Sequence, residues 1–87
     1  KIIWGGASKG LIFSLYLQRA GIFIDYIIDI NPAKQGKYLG VSGLKVSSPK
    51  EVLNKVEKGS DIFIMNSNYM EEIIKLSNNE FNYIKVD

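Results

Sequence analysis

The chain has 87 residues, 46% of them hydrophobic and 23% charged, and its formal net charge is +2. These values predict one small globular domain, and a charge so small and evenly spread favours neither nucleic acid nor an anionic membrane as a partner. The sequence contains no cysteine and no histidine. This excludes disulfides and thiolate metal sites, and it removes the commonest general base and the commonest metal ligand.

No apolar run approaches the roughly 20 residues needed to span a bilayer, so we expect no membrane segment. The sequence opens directly on a strand pattern, without an initiator methionine or a basic-then-apolar leader. We therefore expect residues 1–87 to be a single domain excised from a longer protein, with part of any active site lying elsewhere in that protein.

The first ten residues organise the rest of the chain. Residues 2–4 predict a short buried strand, residues 5–8 a glycine-rich turn, and residues 9–20 a helix that ends at Gly21. In an open α/β sheet such a strand lies near the centre. The turn leaves backbone N–H groups at a helix N-terminus, where an anion can bind.

This first helix is apolar on more than one face. One helical stripe contains Ile12, Leu15, Tyr16 and Arg19. Three further apolar residues fall outside it, namely Leu11, Phe13 and Leu17. Either the helix is wedged between the sheet and a neighbouring loop, or one face docks on another domain.

The second strand is predicted over residues 23–30, an unbroken apolar series with Asp29 near its end. Residues 31–40 are predicted to form a loop, and residues 43–46 a short third strand at an edge of the sheet. The helix between the first two strands supplies the right-handed crossover that a parallel pair requires.

The clearest local signal is a capping box at the start of the second helix. Ser48 suits the N-cap, Pro49 the first helical position and Glu51 the third. The helix is predicted to end at Gly59, after one apolar stripe formed by Val52, Leu53 and Val56.

The last third of the chain predicts a strand, a helix and a strand. Residues 61–66 form a fourth strand that is apolar on both faces and therefore central, and residues 83–86 form a last strand at the other edge. Asn68 is predicted to cap the intervening helix, which ends at residues 78–79. Its inward-facing residues are predicted to be Met70, Ile73 and Ile74.

This order predicts a three-layer, Rossmann-like α/β fold. It is a doubly wound parallel sheet of about five strands, in the order 3-2-1-4-5, with helices on both faces. Ligands of such sheets bind beyond the carboxyl ends of the strands, where the winding reverses. Residues 5–9, 29–31 and 66–69 converge there.

The glycine turn matches the dinucleotide fingerprint G-x-G-x-x-G except that Ala7 replaces the middle glycine, which is the one that lets the backbone approach a pyrophosphate. Three interpretations remain open: NAD binding, a simple tight turn, and binding of another anionic ligand. The ammonium group of Lys9 favours the anion, because it can reach a phosphate as a point charge.

Polar residues follow the two strands that flank the first. Asp29 lies 19 residues after Gly10, close to the spacing of an acid that bonds a ribose hydroxyl, although it can equally bond the backbone of the next loop. Asn66, Ser67 and Tyr69 can line the cleft, or can serve only to start a helix. No catalytic constellation is recognisable, because no base is selected by the sequence.

Four stretches carry a family resemblance: residues 6–10, 24–39, 46–49 and 65–73. The most specific are Asn-Pro-Ala-Lys-Gln-Gly-Lys-Tyr at 31–38 and Asn-Ser-Asn-Tyr at 66–69. Together they resemble the C-terminal domain of the SAM-dependent C-methyltransferases, which methylate carbon atoms of nucleotide-linked deoxysugars. The resemblance implies that a preceding catalytic domain of the same chain holds S-adenosylmethionine, and that this domain binds no cofactor itself.

The resemblance implies a substrate-binding domain of a cytoplasmic enzyme, with a nucleotide-sugar as its ligand and no catalytic or metal-binding residue of its own. The residues expected to contact phosphate or the nucleotide are Gly5, Gly6, Ser8 and Lys9. Those expected to border the sugar or base are Asp29, Asn31, Asn66, Ser67 and Tyr69. The alternatives are a stand-alone nucleotide-binding module of the NAD or CoA type, and a domain that only braces the catalytic domain.

Overall fold

A computed structural model describes residues 1–5, 7–31, 33, 35–36, 38–39 and 44–86, without the side chains of residues 7–11, 38, 39 and 44. The strands are β1 (Ile2–Trp4), β2 (Tyr26–Ile28), β3 (Tyr38–Leu39), β4 (Leu44–Ser47), β5 (Asp61–Ile64) and β6 (Asn82–Lys85). The helices are α1 (Ala7–Arg19), α2 (Pro49–Leu53) and α3 (Met70–Leu76), with a single 3-10 turn at Ser67–Tyr69 before α3.

The sheet confirms the predicted topology. Its order is β3-β4-β2-β1-β5-β6, and every pairing among the last five of these strands is parallel. The predicted loop differs, since its residues Tyr38 and Leu39 pair antiparallel with Lys45 and Leu44. The predicted edge strand is therefore covered by β3, which the sequence did not reveal because two residues are too few to show an alternating pattern.

Helices cover both faces of this sheet. On one face Val52 of α2 and Ile73 of α3 join Ile2, Ile62 and Ile64 in a buried cluster. On the opposite face Ile3, Ile27, Val46 and Met65 form a second cluster, against which Phe13 of α1 packs. The doubly wound arrangement is confirmed. Because β1 pairs with a strand on each side and is covered by helices on both faces, its two isoleucines are fully buried.

The first helix differs from the prediction in its first residue and in the face that it buries. It starts at Ala7 rather than residue 9, and Gly21, at φ +82°, closes it where predicted. Ile12 and Tyr16 of the predicted stripe are 60% and 69% exposed, whereas Phe13, from outside the stripe, packs edge-on against Phe63 of the sheet at 5.4 Å between ring centroids. The apolar character of both faces is thus confirmed.

The capping signal before α2 is confirmed. The Oγ atom of Ser48 accepts a hydrogen bond from the Glu51 N–H at 3.3 Å and donates one to the Glu51 carboxylate at 3.1 Å. The helix ends at Leu53, well before Gly59, and a turn completes the connection to β5.

The start of α3 corrects a prediction. A 3-10 turn precedes the helix, and Asn66 rather than Asn68 caps that turn, because its Oδ1 atom accepts a hydrogen bond from the Asn68 N–H at 3.0 Å; α3 itself begins after Tyr69 without a side-chain cap. The helix ends as expected, with Asn78 and Asn79 both at positive φ, a conformation that asparagine tolerates better than most residues.

The strands are shorter than their apolar runs. Residues 23–30 were predicted as one strand, but only Tyr26–Ile28 pair with β1, and Phe23 is 69% exposed. The pairing partner limits the strand, since β1 has only three residues. In the described part of the chain, α1 is the longest helix at 13 residues, and no helix there has the length and apolar character needed to cross a membrane.

A polar cluster at the amino ends of β5 and β6 gives a pH-dependent prediction. Asn82 donates a side-chain hydrogen bond to Asp61 at 2.8 Å, and the Lys1 ammonium donates another at 3.0 Å. These two contacts, the first above all, lower the pKa of the Asp61 carboxyl below its ordinary value. The stabilisation they give is therefore present above the ordinary pKa of about 4 and is lost as the pH falls through the lowered value.

Replacing Asn82 with alanine is expected to destabilise the fold by less than about 1 kcal/mol at pH 7, because the pair is partly exposed. The loss should shrink as the pH falls below about 4 towards the lowered pKa of Asp61, because protonation removes the charge that these hydrogen bonds stabilise. Urea unfolding at pH 7 and pH 3 measures it. In an Asp61→Asn background the pH dependence should vanish, and an equal loss at both pH values would contradict the assignment.

Candidate functional site at the carboxyl edge of the sheet

The register of the strands places the glycine turn between two polar strand ends. Trp4 pairs with Ile28 on one side and with Ile64 on the other, so Gly5 lies beside residue 29 and residue 65. Backbone hydrogen bonds continue this register, from the Gly5 N–H to the Ile28 carbonyl at 2.7 Å and from the Met65 N–H to the Trp4 carbonyl at 3.2 Å. The predicted convergence of the ends of β1, β2 and β5 is therefore present in the backbone.

The turn itself requires glycine at its first position. Gly5 has φ +88°, a conformation that strains residues with a side chain. Because its N–H already donates within the sheet, Gly5 can approach a ligand through its Cα rather than through a hydrogen bond. Gly6 lies outside the described residues. Ser8 and Lys9 lie in the first turn of α1, at the helix end that favours anions, and their side chains are outside the description.

Two successive Asx turns shape the loop after β2. The Asn31 N–H donates to the Asp29 Oδ1 atom at 2.9 Å, and the Ala33 N–H donates to the Asn31 Oδ1 atom at 3.0 Å. Asp29 is half-buried and Asn31 exposed. Asp29 thus makes the loop contact that the sequence offered as an alternative to ligand binding, Asn31 makes a similar one, and each side chain keeps a second polar atom that these bonds do not use.

Gln35 belongs to this site, although the sequence analysis did not select it. Its amide donates to the Asp29 carbonyl at 2.7 Å, and the neighbouring Gly36 N–H donates to the Val46 carbonyl at 2.8 Å. The loop is thereby fixed across the ends of β2 and β4. Gln35 could have been found from its position inside the motif at 31–38. That motif predicts the loop, but it does not predict the hydrogen-bond partner of Gln35.

Asn66, Ser67 and Tyr69 lie together on the β5 side of the turn. Asn66 and Ser67 are half-buried, and Tyr69 is 52% exposed at the end of the 3-10 turn. The Asn66 Oδ1 atom is engaged in the cap described above, so its amide NH2 group is the part that can reach outward. The exposed Tyr69 ring offers an apolar surface on which a planar group can stack.

A groove of about 730 Å³ lies elsewhere, between α2 and α3. Its lining includes Lys50, Asn54, Leu76 and Phe81 but none of the predicted site residues. The structure thus brings the strand ends together in the backbone, while this groove belongs to the helical face. Among the described residues, no group of three or more acidic side chains is placed to hold a metal ion.

Comparison with known proteins agrees with this architecture. A solved structure described as RSP in complex with β-NADH superposes on 99% of this chain with a TM-score of 0.61 and 17% sequence identity. The chain spans 52% of that protein, about half its length. At this identity the likeness shows a shared Rossmann-like fold. A search of curated proteins finds no match.

The family comparison covers nearly the whole sequence. The model described as the C-methyltransferase C-terminal domain matches residues 2–83, which include the glycine turn, both Asx turns and the capped 3-10 turn before α3. The match covers strands β1 to β5 completely and the first two residues of β6. This chain therefore belongs to the family of C-methyltransferase C-terminal domains.

Proposed function

We propose that this chain is the substrate-binding, non-catalytic C-terminal domain of a cytoplasmic, SAM-dependent methyltransferase that acts on a nucleotide-linked sugar. The observation that carries the proposal is the family match over residues 2–83. In this proposal S-adenosylmethionine and the acid–base residues belong to a preceding catalytic domain, which is this domain's partner. The described residues contribute an edge for binding and orienting the substrate.

The glycine turn and the start of α1 would hold the phosphate groups. Residues 7–9 form the N-terminal end of a 13-residue helix, whose partial positive charge attracts anions, and Lys9 adds a full charge. Asp29 and Asn31 would border hydroxyl groups on one side, and Asn66, Ser67 and Tyr69 the sugar or base on the other. The polar strand ends on both sides of β1 support this division.

The exposed side of α1 supports docking on the preceding domain. Ile12 and Tyr16 lie one helical turn apart and are 60% and 69% exposed. Exposed apolar residues that recur on one face of a helix favour a contact with another protein surface. The same surface is what a purely bracing domain would need, so ligand binding is the measurement that separates the two functions.

A second candidate is a nucleotide-binding module of the NAD or CoA type. The observation that favours it is the likeness in fold to a structure that contains NADH. Ala7 argues against it, since a Cβ atom stands where the dinucleotide fingerprint has its middle glycine. Titration of the full-length parent protein with NADH and with CoA discriminates the two candidates. Trp4 lies next to the glycine turn, so quenching of its fluorescence by NADH or CoA would favour the nucleotide-binding module.

Calorimetric titration of the full-length parent protein with dTDP- and GDP-linked sugars tests the proposed function. We expect Lys9→Ala and Asp29→Ala each to weaken binding about tenfold, since each removes a charged contact worth about 1.4 kcal/mol. Lys55→Ala, a matched change of an exposed lysine after α2, should leave the affinity within about twofold of the native value. Unchanged affinity for every nucleotide-sugar in both site variants would refute the site.

A further inference from the structure

Asx bonds at the carboxyl edge engage one polar atom in each of two side chains. Asp29 and Asn66 stand on opposite sides of Gly5, at the ends of β2 and β5, and both are half-buried. Each uses its Oδ1 atom to accept a backbone N–H two residues further along the chain, at 2.9 and 3.0 Å. The Asn66 amide cannot flip without placing its NH2 group against the Asn68 N–H and leaving that N–H unsatisfied, whereas the two oxygens of the Asp29 carboxylate are equivalent and either can accept the bond.

The two side chains have opposite hydrogen-bonding character. With Oδ1 engaged, the outer atom of Asp29 is the carboxylate oxygen Oδ2, which only accepts hydrogen bonds. The polar group of Asn66 that this bond does not use is the amide NH2, which only donates them. The edge thus has an anionic acceptor on the β2 side of the glycine turn and a neutral donor on the β5 side.

Building on the proposed function, we infer that Asn66 is a binding residue that determines the orientation of the ligand. Its amide recognises a hydrogen-bond acceptor, either a phosphoryl oxygen or the carbonyl oxygen of a base, while Asp29 recognises a hydroxyl group. Where the acceptor is a phosphoryl oxygen, the reversed orientation would set an anionic oxygen against the Asp29 carboxylate; where it is a base carbonyl, reversal would leave two acceptors facing each other without a proton between them. Repulsion between the two facing oxygens makes that orientation unfavourable.

Substitutions at position 66 separate the cap from the ligand contact. Aspartate, serine and asparagine are comparable N-caps, so Asn66→Asp and Asn66→Ser retain the bond to the Asn68 N–H and should unfold at nearly the native urea concentration. Asn66→Asp replaces the donor by an anionic acceptor, and Asn66→Ser removes the amide without adding charge. Asn54→Asp, on the α2–α3 face, makes the same charge change outside the edge.

The experiment is calorimetric titration of the full-length parent protein with the dTDP- and GDP-linked sugars used above. The same titration is repeated with dTDP or GDP and with the corresponding nucleoside. We expect Asn66→Asp to weaken nucleotide-sugar binding about 100-fold and Asn66→Ser about tenfold, because a donor to a charged oxygen is worth about 1.5–3 kcal/mol. Asn54→Asp should stay within about twofold of the native affinity. A penalty that disappears with the nucleoside identifies a phosphoryl oxygen, and one that persists identifies the base.

Native-like affinity of a folded Asn66→Asp variant would overturn the inference while leaving the proposed function intact. If Asn66→Asp fails to fold, Asn66→Ser decides in the same way, since unchanged affinity in that variant would also overturn it. Absence of nucleotide-sugar binding in the native protein would refute the proposed function, and the orientation inferred here with it.

Discussion

Replacement of Ile62 by alanine is expected to lower the free energy of unfolding by about 3–4 kcal/mol. Ile62 lies in β5, pairs with Ile2 of the central strand and is fully buried in the cluster beneath α2 and α3. Its truncation removes apolar contacts and leaves a cavity that the neighbouring side chains cannot fill. A domain of this size has only about 5–10 kcal/mol of stability, so the variant should be close to unfolding in mild denaturant.

The measurement is urea unfolding of the native chain beside three variants. Ile12→Ala is the matched control, because the same atoms are removed from a side chain that is 60% exposed, and its effect should stay within about 0.5 kcal/mol. Ile62→Val should cost about 0.5–1.5 kcal/mol and remains measurable if the alanine variant is unfolded. Equal effects at positions 62 and 12 would contradict the assignment of the core.

Phe13→Ala is expected to cost about 2–3 kcal/mol, somewhat less than for a fully buried phenylalanine, because Phe13 is half-buried. Its ring contacts Phe63 edge-to-face at 5.4 Å between centroids, and it packs on the cluster that contains Ile3 and Val46. This contact attaches α1 to the sheet. Its loss should therefore also weaken ligand binding, since α1 carries the N-terminal end that faces the glycine turn.

A double-mutant cycle isolates the ring contact. Phe13→Leu and Phe63→Leu, alone and together, should give an interaction energy of about 0.5–1.5 kcal/mol in urea unfolding. Tyr16→Leu, an aromatic replacement on the exposed side of the same helix, should show no such coupling with Phe63→Leu. Additive effects of the two phenylalanine changes would show that the rings do not interact.

In the proposed site, the same polar side chains hold the fold together and are proposed to contact the ligand. Asp29, Asn31 and Asn66 were selected because polar residues follow buried strands, and all three use an oxygen to hold the chain as it leaves a strand. Structure and binding are therefore not alternatives at these positions. A carboxyl or amide group has two polar atoms, and the local bond to one of them determines which atom remains for the ligand.

The predictions that were wrong concern positions where the local sequence fits two arrangements equally well. The segment 66–69 contains two asparagines, and either can cap a helix. Asn66 caps the 3-10 turn that leads into α3, because β5 ends at Ile64 and Asn66 has the extended backbone that a cap requires. The helix faces were similarly ambiguous, since residues 11–17 offer apolar stripes on two sides and only packing against Phe63 decides which side turns inward.

The sequence by itself determined the order of the elements, the parallel sheet with β1 at its centre, and the meeting of the ends of β1, β2 and β5. Those features follow from the local periodicity of apolar residues, from the glycine and proline residues that end helices and strands, and from the right-handedness of crossovers. Each of these can be read from residues that are close together in the sequence. Only the tertiary structure decided which face of α1 is buried, that β3 covers β4, and which backbone N–H groups Asp29 and Asn66 bond. These depend on contacts between distant segments, where the free energy of packing and of satisfying each backbone N–H selects one of several locally equivalent arrangements.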